Sequence, residues 1–104
     1  MGDLKNDVLA KLSTVIDPET GIDVIRMSLV ESLIVSSSGV AEYQIRPSSM
    51  FCPLAVPLSM SIINAVKEVD GVNGQQVKVV GYAKEVELNH MLGEYLNEIY
   101  GQDS

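Results

Sequence analysis

The chain has 104 residues, of which 46% are hydrophobic and 20% are charged, with a formal net charge of −7. This length suits one globular domain with one small core, and the hydrophobic content argues against disorder throughout. The seven Lys and Arg residues are scattered along the chain. Because nucleic acids and anionic membranes bind clustered cations, this composition argues against both as partners.

The chain contains no stretch of about 20 apolar residues that could cross a bilayer, and its first residues lack the layout of a signal peptide. We therefore expect a cytoplasmic protein. The chain has one cysteine, Cys52, which cannot form a disulfide within the chain. In a reducing compartment we expect it to be a free thiol, a metal ligand or half of a site shared with a second chain.

The first part of the chain predicts a helix followed by a turn. Leu4, Val8 and Leu12 recur at helical spacing, which predicts an amphipathic helix over about residues 3–14. Residues 17–21, Asp-Pro-Glu-Thr-Gly, interrupt this periodicity and are typical of a structured turn.

Strand signals follow the turn. Partial alternation and β-branched residues in segments 22–26 and 29–35 suggest a strand, and residues 40–46 alternate as a second strand after a short Ser-Gly turn. Together they predict a β-hairpin. Apolar spacing then predicts a helix over about residues 59–70, with Gly71 well placed to stop it.

The C-terminal part predicts a third strand over residues 76–82 and an amphipathic helix over residues 87–100. Met60 and Met91 lie beside the apolar faces of their helices, so we expect them to pack. The predicted fold is therefore α/β, of the α+β sandwich type: a small three-stranded sheet covered by helices, with an additional C-terminal amphipathic helix.

Cys52 lies in the segment Ser-Ser-Met-Phe-Cys-Pro-Leu-Ala, residues 48–55. If a helix begins between Pro53 and Pro57, the thiol lies at the positive end of that helix, where the thiolate is favoured and can act as a nucleophile or a metal ligand. The alternative is a buried cysteine that only packs, which is common for this residue type. The residues alone leave both interpretations open.

Three further residues have side chains that could bind a metal ion or transfer a proton. Asp17 and Glu19 could bind a hard cation or take part in acid/base chemistry, but an Asp-Pro-Glu turn more often serves local hydrogen bonding. His90 is the single histidine; it could pair with Cys52 only if folding brought the last helix across the loop, and a solvent-facing side chain is expected.

The order of these motifs resembles a family of small domains that includes bacterial SufT and the phenylacetate-pathway protein PaaD, a family tied to iron–sulfur cluster assembly. The similarity covers about residues 3–82. It rests on four stretches: DPETGIDV at residues 17–24, MSLV at 27–30, CPLA at 52–55 and VKEVDGV at 66–72. We accordingly interpret residues 1–82 as the assembly domain and residues 83–104 as a helical extension of the same domain.

The resemblance implies an accessory factor that is not an enzyme, with iron–sulfur assembly proteins or apo client proteins as its partners. It implies that Cys52 is a ligand for iron or a cluster held transiently. The residues that would shape this site are Asp17, Glu19, Ser48, Ser49 and Pro53. The chain lacks the family's tryptophan-containing tail and continues into an acidic helix instead.

One thiol supplies too few bonds to hold a cluster within one chain. A homodimer that brings two Cys52 thiols together, a client protein or a small thiol would have to complete the site. A second hypothesis is a metal-free adaptor that docks assembly proteins or apo clients through its acidic surface and C-terminal helix. A third is thiol-based enzymology, with Cys52 as nucleophile and Asp17 or His90 as base.

Overall fold

The structure, a computed structural model, describes residues 4–17, 20–47, 51 and 54–100. These residues form three helices and a three-stranded sheet. In chain order the elements are α1 (Leu4–Leu12), β1 (Val30–Val35), β2 (Val40–Ile45), α2 (Ala55–Lys67), β3 (Gly74–Val79) and α3 (Glu85–Tyr100). The predicted α+β fold is confirmed.

The strands lie in the order β1-β2-β3, with β1 antiparallel to β2 and β2 parallel to β3. The antiparallel pair is the predicted hairpin. Parallel neighbours need a crossover connection, and α2 provides it. Since α2 returns the chain from the end of β2 to the start of β3, its N-terminus lies near the end of the sheet where β2 finishes.

The strand suggested over residues 22–26 is wrong. Asp23 forms only an isolated bridge with Ile16, and the following residues form turns. The N–H of Met27 donates to the carbonyl of Asp23 at 3.1 Å, and Ser28 has a φ of 57°. Local turn hydrogen bonds therefore replace strand pairing in this segment, despite its β-branched residues.

The helices cover one face of the sheet and share one apolar core with it. Each helix contributes fully or nearly fully buried side chains, and the central strand β2 buries every second residue. Members of this core include Val8, Leu12, Ala41, Tyr43, Ile45, Leu58, Ile62, Ile63, Val66, Val79, Leu88, Leu92 and Leu96. The predicted apolar faces of all three helices are confirmed, and α3 is part of the core.

The opposite face of the sheet is largely open to solvent. Alternation along the strands places Glu42, Gln76 and Lys78 there, together with Ile34, whose side chain is 59% exposed. A shallow depression of about 340 Å³ lies on this face. Exposed single apolar residues such as Ile34 are normal, so this mainly polar face indicates no site.

A buried polar network joins the sheet to α2 and α3. The hydroxyl of Tyr43 donates to Oε1 of Gln75 at 2.6 Å, and Nε2 of Gln75 donates to the carbonyl of Ile63 at 3.0 Å and to the hydroxyl of Tyr100 at 2.8 Å. Burial raises the pKa of the Tyr43 hydroxyl, and Tyr100 raises it further. Tyr43 therefore stays protonated and acts as a donor at neutral pH.

Asn89 of α3 binds the backbone of the edge strand β3. Its Oδ1 accepts from the N–H of Val79 at 2.6 Å, and its Nδ2 donates to the carbonyl of the same residue at 3.0 Å. The side-chain amide thus pairs with the end of β3 as a neighbouring strand would. This contact protects part of a sheet edge that would otherwise be open to other chains.

We expect Asn89→Ala to lower the free energy of unfolding by about 1–2 kcal/mol, because it leaves backbone groups of Val79 without their partner. Asn97→Ala is the matched control, since Asn97 lies on the same helix and is exposed. Urea denaturation of both chains measures the difference. Equal effects of the two substitutions would show that the amide pair adds no stability.

Candidate functional site

Backbone hydrogen bonds tie the acidic turn to the segment that precedes Cys52. The N–H of Val24 donates to the carbonyl of Val15 at 2.9 Å, and the N–H of Leu29 donates to the carbonyl of Val24 at 3.0 Å. The N–H of Arg46 then donates to the carbonyl of Leu29 at 2.7 Å. Because Val15 precedes the acidic turn and Arg46 follows β2, both loops leave the same end of the sheet.

Asp17 is fully buried within the acidic turn. Its N–H donates to the carbonyl of Ile22 at 2.9 Å, and its carbonyl accepts from the N–H of Gly21 at 2.8 Å. The hydroxyl of Thr20 lies 3.4 Å from its carboxylate Oδ2. Asp17 therefore takes part in the turn through its backbone groups, and the site-shaping role of its carboxylate stays a prediction.

The other residues of the predicted site lie outside the described residues. They are Glu19, Ser48, Ser49, Cys52 and Pro53. The predicted proximity of the Cys52 sulfur to the carboxylates of the acidic turn therefore stays a prediction. The hydrogen bonds on either side of the two loops support it, since they place both loops at one end of the sheet.

The start of α2 is relevant to the chemistry of Cys52. The helix begins at Ala55, between the two prolines, so only Pro57 lies in it, within the first turn where proline is tolerated. Near this end, the N–H of Leu58 donates to the carbonyl of Leu54 at 2.9 Å. The N–H groups of Ala55 and Val56 precede it and face the N-terminal end of the helix, as expected for the first turn.

Within the described part of the chain, no group of three or more His, Cys, Asp or Glu side chains could hold a metal ion. His90 lies on α3 with its side chain 77% exposed, and its Nε2 is 3.3 Å from Oε2 of Glu94. The predicted solvent-facing position of His90 is therefore confirmed.

Sequence reasoning missed an apolar cleft at this end of the molecule. The cleft has a volume of about 240 Å³ and lies between the start of α2, the loop after β3 and the first turns of α3. Its lining residues are Val56, Tyr82, Lys84, Glu87, Leu88 and Met91. We call it the α2–α3 cleft.

The α2–α3 cleft lies at the sheet end that carries the two loops. The N–H of Val80, just after β3, donates to the carbonyl of Ile45 at the end of β2 at 2.9 Å. Val56 follows Cys52 by only four residues. The expectation that Met91 packs is wrong, because 40% of its surface is exposed at this cleft, whereas Met60 packs against the core. Met91 lies about one helical turn from both Glu87 and Glu94, and an apolar residue on this acidic side of α3 was the available sequence signal.

These features define a class of small α+β domain that carries its loops where a parallel strand pair ends, a common place for binding sites in α/β sheets. The family described as "Iron-sulfur cluster assembly protein" matches residues 5–79. The chain therefore belongs to this family, as its motifs predicted. The matched region includes both loops and ends before α3.

Two bacterial relatives carry the name "Fe-S protein maturation auxiliary factor". YitW of Bacillus subtilis is 29% identical over 77 residues, which cover 74% of this chain and 76% of the relative. SufT of Staphylococcus aureus is 30% identical over 66 residues, which cover 64% of this chain and 75% of the relative. The predicted resemblance to the SufT family is thus confirmed.

A solved structure shows the same fold. The crystal structure of a domain of unknown function, DUF59, from Bacillus anthracis superposes with a TM-score of 0.69 at 25% identity. The match covers 86% of this chain and 92% of the other.

In the described residues of this chain, no helix is both long enough and apolar enough to cross a membrane.

Proposed function

We propose that this protein is an accessory factor in iron–sulfur cluster assembly or delivery, and that it handles iron or a cluster transiently through Cys52. The observation that carries the proposal is the family match over residues 5–79, which includes Cys52 and the acidic turn. The names of the two bacterial relatives support a role in iron–sulfur protein maturation. The partners we propose are assembly proteins and apo client proteins.

The chemistry of a single thiol explains why the handling is transient. A thiolate is a soft ligand that suits iron and iron–sulfur clusters, whereas stable clusters are usually held by four protein ligands. The described residues offer no group of three or more ligands that could complete such a set. The cargo would therefore be held jointly with a second chain, a client or a small thiol, and it would leave when that partner supplies better ligands.

Anaerobic reconstitution with iron and sulfide tests this proposal. We expect the Cys52→Ser chain to lose most of the bound iron and of the visible absorption of the wild-type chain, because serine replaces a soft ligand by a hard one. His90→Ala is the control, since it removes another ligand type from an exposed position. If Cys52→Ser binds as much iron with the same absorption, Cys52 is not the ligand.

A second candidate function is the metal-free adaptor. The observation that favours it is the exposed apolar surface of α3, where Val86 is 79% exposed and Met91 is 40% exposed. Truncation after Lys84 would be a poor test, because Leu88, Leu92 and Leu96 belong to the core. Point substitutions at exposed positions of α3 leave the core in place and are the appropriate variants.

A further inference from the structure

We propose that the α2–α3 cleft binds an apolar side chain of a basic amphipathic helix supplied by a partner protein. This inference rests on the proposed accessory function and names the kind of partner that would dock. The cleft of about 240 Å³ is smaller than the roughly 300–1,000 Å³ of pockets that enclose small-molecule ligands. It therefore suits a protruding side chain better than a metabolite.

The apolar part of this surface is exposed in the folded chain. Val56 is 37% exposed and Met91 is 40% exposed on opposite sides of the cleft. Tyr82 and Leu88 form its remaining apolar lining. Apolar side chains grouped around a concavity and bordered by charged residues are typical of a protein interaction site.

The negative charge of α3 favours a partner helix of positive charge. The helix contains Glu85, Glu87, Glu94 and Glu98 and no Lys or Arg. Glu87, Met91, Glu94 and Glu98 follow one another at helical spacing, so they form one stripe of about three turns along α3. Among the described residues, Glu87 and Glu98 form no salt bridge, and Glu94 is paired only with His90.

Among the described residues that line the cleft, Lys84 is the one cation. It directly precedes α3, whereas Glu94 and Glu98 lie in the second half of that helix. A helix that lies along α3 would insert an apolar side chain near Met91 and place its cations opposite the glutamates. Such complementary charges favour a basic partner and disfavour an acidic one.

The same charges argue against a second copy of this chain as the occupant. A symmetric dimer through this surface would bring α3 against α3, because both copies use the same patch. The glutamate stripes would then face each other, and like charges at close range oppose association. A partner of opposite charge avoids this repulsion.

Fluorescence anisotropy with two synthetic peptides tests the inference on the full chain. Both peptides carry the same stripe of leucines on an amphipathic helix, and they differ only in having lysines or glutamates beside that stripe. We expect the lysine peptide to bind about tenfold more tightly than the glutamate peptide at low salt, and salt to reduce the difference.

Two variants probe the surface itself. Met91→Ser should weaken binding of the lysine peptide by about five- to tenfold, because it removes apolar contact area. The double variant of Glu87→Gln and Glu94→Gln should weaken it by about threefold, since exposed charge pairs contribute little each. Ile34→Ser and Glu42→Gln are matched controls on the open face of the sheet, and we expect both to bind as the wild type does.

Equal binding of the two peptides overturns the inference, as does equal binding by the Met91→Ser and Ile34→Ser chains. Self-association that Met91→Ser alone abolishes also overturns it and identifies a second copy as the occupant. Peptide binding does not require the thiol, so the Cys52→Ser chain should still bind the lysine peptide. Iron reconstitution of the Cys52→Ser chain then tests the proposed function separately. If this chain keeps its iron and still binds the lysine peptide selectively, Cys52 is not the iron ligand, and the docking surface remains supported.

Discussion

Replacing Gln75 by leucine is expected to lower the free energy of unfolding by about 2–3 kcal/mol, although the two side chains are similar in size. The change removes the acceptor of the Tyr43 hydroxyl and the donor to both Ile63 and Tyr100. Tyr43 is 3% exposed, so its hydroxyl would be left in the core without a partner. Urea denaturation at neutral pH measures the loss.

A double-mutant cycle separates the energy of the Tyr43–Gln75 hydrogen bond from the effect of each substitution on packing. Tyr43→Phe removes the other partner of the bond, so combining it with Gln75→Leu leaves no orphaned hydroxyl. We expect the double variant to be more stable than the sum of the single losses indicates, by about 1 kcal/mol or more. Additive losses would mean that the Tyr43–Gln75 bond has no net effect on stability.

Gln76→Leu is the matched control for this prediction. Gln76 is the next residue of β3, and the alternation of the strand places it on the exposed face. A substitution at such a surface position should change stability by no more than about 0.5 kcal/mol. If Gln75→Leu is no more destabilising than Gln76→Leu, the buried network does not contribute as proposed.

The fold could be predicted from local patterns where the pattern and the packing agree. The hairpin followed from alternation and a Ser-Gly turn, and α3 followed from the spacing of Leu88, Leu92 and Leu96. The limits of β3 were less accurate, because the valine-rich run suggested residues 76–82 whereas the strand is Gly74–Val79. The chain turns after β3 at Gly81, which has a φ of 69°, and this glycine was the available signal for the end of the strand.

Long-range partners account for what the sequence could not reveal. Gln75 looks like a surface residue, yet its hydrogen-bond partner Tyr43 lies 32 residues away in the chain. Asn89 likewise looks like part of the polar face of α3, but it binds a strand ten residues earlier. Polar side chains are assigned to the surface by periodicity alone, and only the folded chain shows the buried partners that satisfy them.

Some features of the candidate site could likewise be predicted from the sequence, and others required the folded structure. The acidic turn was predicted as a turn, and the burial of Asp17 and its backbone bonds agree with that interpretation. The hypothesis that Cys52 is a ligand came from the family resemblance, because one thiol in one sequence is compatible with packing as well. The α2–α3 cleft needed the fold, since Val56 and Met91 lie on different helices.

Replacing Gly39 by alanine is expected to lower the free energy of unfolding by about 3 kcal/mol or more, because two separate costs add at this position. Gly39 has a φ of 94°, a conformation that residues with a Cβ rarely adopt. A Cβ there would also collide with the carbonyl oxygen of Gly71 and lie 2.7 Å from Nδ2 of Asn73. Urea denaturation measures the effect.

The collision involves a contact that holds two connections of the sheet together. The N–H of Asn73 donates to the carbonyl of Gly39 at 2.8 Å, and its side-chain Nδ2 donates to the carbonyl of Ser38 at 2.7 Å. The turn between β1 and β2 is thus bound to the connection between α2 and β3. Making room for a methyl group would require the backbone at Gly71 to move, and it would strain both hydrogen bonds.

Substitutions at two other glycines separate the conformational cost at Gly39 from the cost of the steric collision. Gly21 has a φ of 74°, and no atom of the described residues lies within 4 Å of an added Cβ, so Gly21→Ala should cost only the conformational part, about 1–2 kcal/mol. Gly93 lies within α3, and in the described part of the chain nothing lies within 4 Å of an added Cβ, so Gly93→Ala should stabilise the chain by about 0.5–1 kcal/mol. Equal losses in Gly39→Ala and Gly21→Ala would contradict the proposed collision, because the turn conformation alone would then explain both.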